Sequence, residues 1–87
     1  MATPSGAEFA GGVELKKTLV TGAAADTNIA IAGIRRRDML LSVIEHPASA
    51  ALVDRTATTS ITSDGNIQCT ASTAGNQLVV WWWKRKA

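Results

Sequence analysis

Three consecutive tryptophans, Trp81, Trp82 and Trp83, close the apolar run QLVVWWW at residues 77–83. Neighbouring side chains on a strand point to opposite faces, so these rings must occupy both sides of a sheet. Val79, Trp81 and Trp83 share one face, and Leu78, Val80 and Trp82 share the other. The chain has 87 residues, and a domain of that size buries only roughly 60% of its unfolded surface. One face of this strand can be core, but little room is left to bury the second. At least one ring is therefore expected at a second layer, an interface or a ligand site, where tryptophan is enriched.

The rest of the chain reads as short apolar runs separated by turn residues, the pattern of a small antiparallel β domain. Residues 13–21 form the first strand, with Leu15 and Leu19 on one face and Lys17 between them. A turn at Gly22 and a loop through Asn28 lead to a short strand at residues 28–32. Ile29 and Ile31 share one face there, and Ala30 and Ala32 on the other suggest close approach of another layer. Gly33 ends it. Arg37 and Asp38 suit a turn into residues 39–46, where Val43, Ile44 and the following Pro47 favour strand over helix. Strict alternation sends Met39, Leu41 and Val43 one way, Leu40 and Ile44 the other. Apolar groups on both faces make this strand central, or turn one face to a partner. Residues 47–57 are the least patterned, with Leu52 and Val53 expected to pin them to the core. Residues 58–62 and 66–72 flank Asp64-Gly65, a strong hairpin signal. Ile67, Cys69 and Ala71 share the dry face of the second arm. Residues 74–76 turn into the tryptophan strand.

The expected fold class is all-β, a small antiparallel β-sandwich or β-barrel-like domain of five or six strands over residues 13–84. Residues 1–12, rich in Gly, Pro, Ser, Thr and Ala, read as a flexible N-terminal arm with Phe9 as its one large apolar anchor. Residues 85–87 read as a basic tail.

Composition narrows the class. An apolar fraction of 46% is inflated by alanine, so the core is thin and a partner surface would help it. A single cysteine, Cys69, excludes an internal disulfide. With one histidine there is no Cys/His cluster for structural zinc, so no metal and no cofactor is expected. No apolar run approaches the length of about 20 residues that crosses a bilayer, and the first ten residues lack the basic and apolar parts of a signal peptide. Synthesis in a reducing cytoplasm is expected, with no membrane partner. Nine basic groups face seven acidic ones. Without Lys84, Arg85 and Lys86 the balance is six against seven, so the basic character is a C-terminal tag plus Arg35, Arg36 and Arg37. Two clusters are not the broad basic face that nucleic acid usually calls for.

No catalytic arrangement is legible. His46 and Ser42 share a strand face, but four residues along a strand is roughly 13 Å, too far for a base to activate a nucleophile directly. The Gly-rich segment 6–12 lacks the lysine and helix of a phosphate loop. The chain is expected not to be an enzyme.

The segments GIRRRDMLLSVIEH and ITSDGNIQCTASTAGNQLVVWWW, with the Thr-rich strand before the second, resemble small proteins encoded among the head genes of tailed bacteriophages. The resemblance covers roughly residues 13–83. It rests on Gly33 and Asp38 ahead of Leu40, Leu41 and Val43, on a hairpin of Thr62, Asp64, Gly65 and Ile67, and on Gly75 and Asn76 ahead of Leu78, Val80 and Trp82. Such proteins look like capsid decoration or cement proteins. The resemblance implies a virion protein on the outer capsid surface, bound to the major capsid protein and often a homo-oligomer, typically a trimer around a symmetry axis. The triple tryptophan and the arginine triplet depart from the simpler pattern, which leaves a tail or fibre-base position open. The interface is expected to use Phe9, Arg35, Arg36, Arg37, Trp81, Trp82 and Trp83. Two other readings of the same residues are a single-stranded nucleic-acid binder that stacks bases on tryptophan, and a carbohydrate-binding module.

Overall fold

The structure, a computed structural model, describes residues 8–9, 13–48 and 50–85. It is all-β, with two antiparallel sheets packed face to face. Its strands are β1 (Glu8–Phe9), β2 (Val13–Thr21), β3 (Ile29–Ala30), β4 (Met39–His46), β5 (Val53–Asp54), β6 (Thr59–Ser63), β7 (Asn66–Cys69) and β8 (Gln77–Arg85), with a 3₁₀ turn at Thr56–Thr58 between β5 and β6. One sheet has the order β1-β2-β8-β4-β5 and the other β3-β7-β6.

The last strand is the centre of the larger sheet. β8 pairs with β2 along its whole length, from Val13–Arg85 to Thr21–Gln77, and with β4 from Met39–Trp83 to His46–Gln77. A strand with neighbours on both edges and a sheet packed on one face needs apolar residues at every second position, which Leu78, Val80 and Trp82 supply. Leu78, Val80 and Trp82 are fully buried and meet Val43, Ile67, Ile31 and Ile34. Val20, Ala23, Leu40 and Ile61 close the margins of this core.

Turn chemistry sets the ends of the strands. Gly65 (φ 86°), Gly33 (φ 85°) and Gly75 (φ 82°) take the left-handed backbone that a side chain disfavours. Gly65 completes the Asp64-Gly65 turn between β6 and β7. Gly22 is needed for another reason: a Cβ there would run into the backbone and side chain of Thr73. Its N–H donates to the Asn76 carbonyl at 2.8 Å, tying the β2 exit to the turn before β8.

Several expectations change. Strict alternation fails on β4 because the register against β8 shifts between Leu40 and Ser42. A bulge adds one residue, Leu41, and flips the parity beyond it. Leu40 and Val43 therefore both lie toward the core, while Met39 and Ile44 lie outside. Ala30 and Ala32 are exposed and meet no further layer. Leu52 is 62% exposed and pins nothing to the core; only Val53 is half-buried, through its pairing with Glu45. Two strands were not expected, β1 and β5, each two residues long at an edge of the sheet. Phe9, read as the anchor of an arm, has its backbone paired with Val13 of its own chain. Residues 1–7 and 10–12 of that arm lie outside the described residues. Arg85, assigned to the tail, is the last residue of β8.

Candidate functional site

The outer face of the larger sheet is built in three rows by the β2-β8-β4 register. Trp83 sits between Leu15 and Met39, Trp81 between Lys17 and Ser42, and Val79 between Leu19 and Ile44. The second sheet packs on the opposite face, and no layer among the described residues covers this one. Leu19 is 66% exposed, Met39 60% and Trp81 37%. The Lys17 ammonium stands 5.4 Å from the centre of the Trp81 ring, a cation–π contact that leaves the ring's rim open. Trp82 was grouped with Trp81 and Trp83 as an interface residue. It is 1% exposed and belongs to the core, because alternation sends it to the other side of the strand. Its indole N–H reaches the Thr18 hydroxyl at 3.4 Å.

The arginine turn lies at the end of the sheet where β8 terminates. Asp38 is buried and holds it there: one carboxylate oxygen accepts the Arg35 N–H at 2.9 Å, and the other accepts the Arg85 N–H at 3.0 Å. Asp64 accepts the Arg36 N–H at 3.0 Å. The Lys84 ammonium donates to the Gly33 carbonyl at 2.7 Å. Two basic clusters that are far apart in sequence thus meet at one tip, with Arg35, Arg36, Arg37 and Arg85 all exposed. The spacing of IRRRD marks Asp38 as a turn residue. Its second bond, to Arg85, spans 47 positions and has no local signal.

At the other end of the sheet, Glu45 is buried on the core side of β4. It accepts from Asn76 Nδ2 at 2.7 Å and from Arg55 Nε at 2.8 Å. The Asn76 bond first, then the Arg55 bond, hold its carboxyl below the ordinary glutamate value against the opposing effect of burial. A depressed folded-state value means the stabilisation is complete above the ordinary pKa of about 4.3 and is lost as pH falls through the folded value. Glu45→Gln is expected to cost about 1–3 kcal/mol at pH 7, since it removes the charge that Arg55 and Asn76 face. The variant should also lose less stability than the parent chain between pH 5 and pH 3. Thermal melts of both proteins across that range check it; parallel curves would deny Glu45 this role.

His46 is exposed at the end of β4. Among the described residues, no three His, Cys, Asp or Glu side chains gather into a group that could hold a metal ion. Cys69 is buried within 3.5 Å of the Thr58 hydroxyl.

The fold and this surface define a class: a small two-sheet β module with one solvent-facing apolar sheet surface and a basic tip. No protein-family model, no curated protein and no solved structure matches the chain.

Proposed function

We propose that this chain is a structural attachment protein, a capsid decoration protein of a tailed-phage head, and that it binds the major capsid protein through the outer face of its larger sheet. The observation that carries the reading is the exposure of Leu19, Trp81 and Met39, one from each of the three rows of that face, on an otherwise well-packed sandwich. Burying a side chain of this kind returns roughly 1.5–3 kcal/mol. A tryptophan with apolar neighbours and charged groups at the margin is the usual anatomy of a protein–protein hot spot. The decoration assignment itself rests on the sequence resemblance, which also implies self-association as a trimer on the virion surface.

A nucleic-acid reading has one observation in its favour, the convergence of four exposed arginines at the tip. Against it, Trp81 lies out on the sheet face with Lys17 already over its ring, and its other neighbour across the sheet is Ser42 rather than a further basic group. Sedimentation of purified protein with isolated phage heads stripped of their surface protein tests both. Saturable binding to heads at about 150 mM salt is expected, with no retention of a thymidine 20-mer under the same conditions. Failure to bind heads, or tight binding of the oligonucleotide, would overturn the assignment.

A further inference from the structure

An open cleft of about 370 Å³ lies between the two sheets at the arginine tip, lined by Arg36, Arg37, Met39, Leu40, Ser60 and Ile61 among others. Both strands that border it present free backbone. β5 covers β4 only at Ile44 and Glu45, so residues 39–41 have no strand on that side. β6 is the last strand of its sheet.

The hydrogen-bond pattern shows which groups of β6 face outward. Thr70 donates to the Thr58 carbonyl at 3.0 Å. In an antiparallel pair hydrogen-bonded positions alternate, so Ser60–Gln68 is the next bonded pair and Ile61 opposite Ile67 is not. The β3 side agrees, since Ile31 donates to the Gly65 carbonyl at 2.9 Å and so turns the Ile67 groups toward β3. The N–H and C=O of Ile61 therefore point away from β7, toward the cleft. Its half-buried side chain and that of Leu40 supply an apolar floor.

The rim is basic and unsatisfied. The Arg36 and Arg37 guanidinium groups have no hydrogen bond or ion pair among the described residues. Both oxygens of Asp38 are spent on the Arg35 and Arg85 N–H groups, and Asp64 is engaged with the Arg36 N–H.

We infer that this cleft takes an extended, acidic segment of a partner protein, which adds to the β6 edge and sets its carboxylates against Arg36 and Arg37. Strand addition supplies the backbone pairing that Ile61 lacks, and guanidinium groups pair with carboxylates in a bidentate fashion. A nucleic-acid strand fits less well. It has no alternating N–H and C=O to offer the edge, and the exposed tryptophan lies on the opposite face of the larger sheet. This site touches the outer sheet face only at Met39 and does not depend on attachment to a phage head.

The test uses the full chain, labelled for amide NMR, and an end-blocked eight-residue peptide of alternating glutamate and valine as probe. The expected result is saturable binding with slowed exchange of the Ile61 amide. Affinity should fall at least tenfold in the Arg36→Gln, Arg37→Gln double variant, which changes only exposed side chains and should fold normally. The same peptide with lysine for glutamate should not bind, and a thymidine 12-mer should not displace the acidic peptide. Several results would overturn the inference: no binding, binding that leaves Ile61 exchange unchanged, binding indifferent to the arginines, or displacement by the oligonucleotide.

Discussion

Trp82→Ala should destabilise the protein by about 3–5 kcal/mol, the range for deleting a large aromatic side chain from a packed core. Small domains have only about 5–15 kcal/mol to lose, so the variant should be partly unfolded at 37 °C. Trp82 is 1% exposed at the centre of the central strand and is the largest fully buried side chain. Its register partner on β2 is Lys16, whose charged end cannot fill an apolar cavity, and the Lys84 ammonium 5.8 Å from its ring centre would lose a cation–π contact. The Thr18 hydroxyl would also lose the indole N–H it accepts. Trp82→Phe keeps most of the buried area and should cost less than half as much. Urea denaturation of both variants measures the difference, with the midpoint falling and the slope unchanged. A loss under about 1 kcal/mol for the alanine variant would mean that Trp82 is not the core residue described above.

Why Trp82 rather than Trp81 carries this weight was only half legible in the sequence. Alternation alone shows that the rings split between two faces, since period 2 is a local property of a strand. Which face is core depends on what packs against it, and that is decided by Ile29, Ile31, Ile34 and Ile67, which arrive from elsewhere in the chain. The two longest strands before β8 are bounded in sequence by turn residues, and so residues 13–21 and 39–46 match β2 and β4 to the residue. The bulge at Leu41 has no such marker. It is a property of the β4-β8 pairing, and it reassigns every side chain on one side of it. The position of β8 between β2 and β4 is equally non-local, because consecutive strands are not neighbours there. Alanine is ambiguous for a physical reason: a small side chain suits both a tight interlayer contact and bare solvent, and Ala30 and Ala32 take the second. The basic tip follows the same rule. Arg35, Arg36 and Arg37 are plain in the sequence, as are Lys84 and Arg85, but the two arms of Asp38 and the Lys84–Gly33 bond that bring them together are not.

The outer sheet face gives the largest expected effect on binding. Trp81→Ala should weaken attachment to stripped phage heads by about 2–4 kcal/mol, the hot-spot range, or roughly 30- to 700-fold. Stability should fall by much less than for Trp82→Ala, because the Trp81 ring is 37% exposed on a face that no described layer covers, whereas Trp82 is 1% exposed, and the cation–π pair with Lys17 that is lost is worth about 0.5–1 kcal/mol. That separation is the purpose of choosing Trp81: a folding defect and a binding defect give different signatures. Leu19→Ser on the adjacent row should add to the loss, and the two should couple less than additively if they bury against one patch. Lys17→Gln should matter much less, since a rim charge mainly sets the association rate and its salt dependence. Quantitative sedimentation with heads, paired with urea melts of each variant, reads both quantities. If Trp81→Ala decorates heads as tightly as the parent chain while Arg36→Gln, Arg37→Gln does not, then attachment runs through the basic cleft and the apolar face serves another contact. If neither substitution weakens binding, the larger sheet does not meet the shell at all, because no other described part of the chain offers an exposed aromatic ring to anchor it.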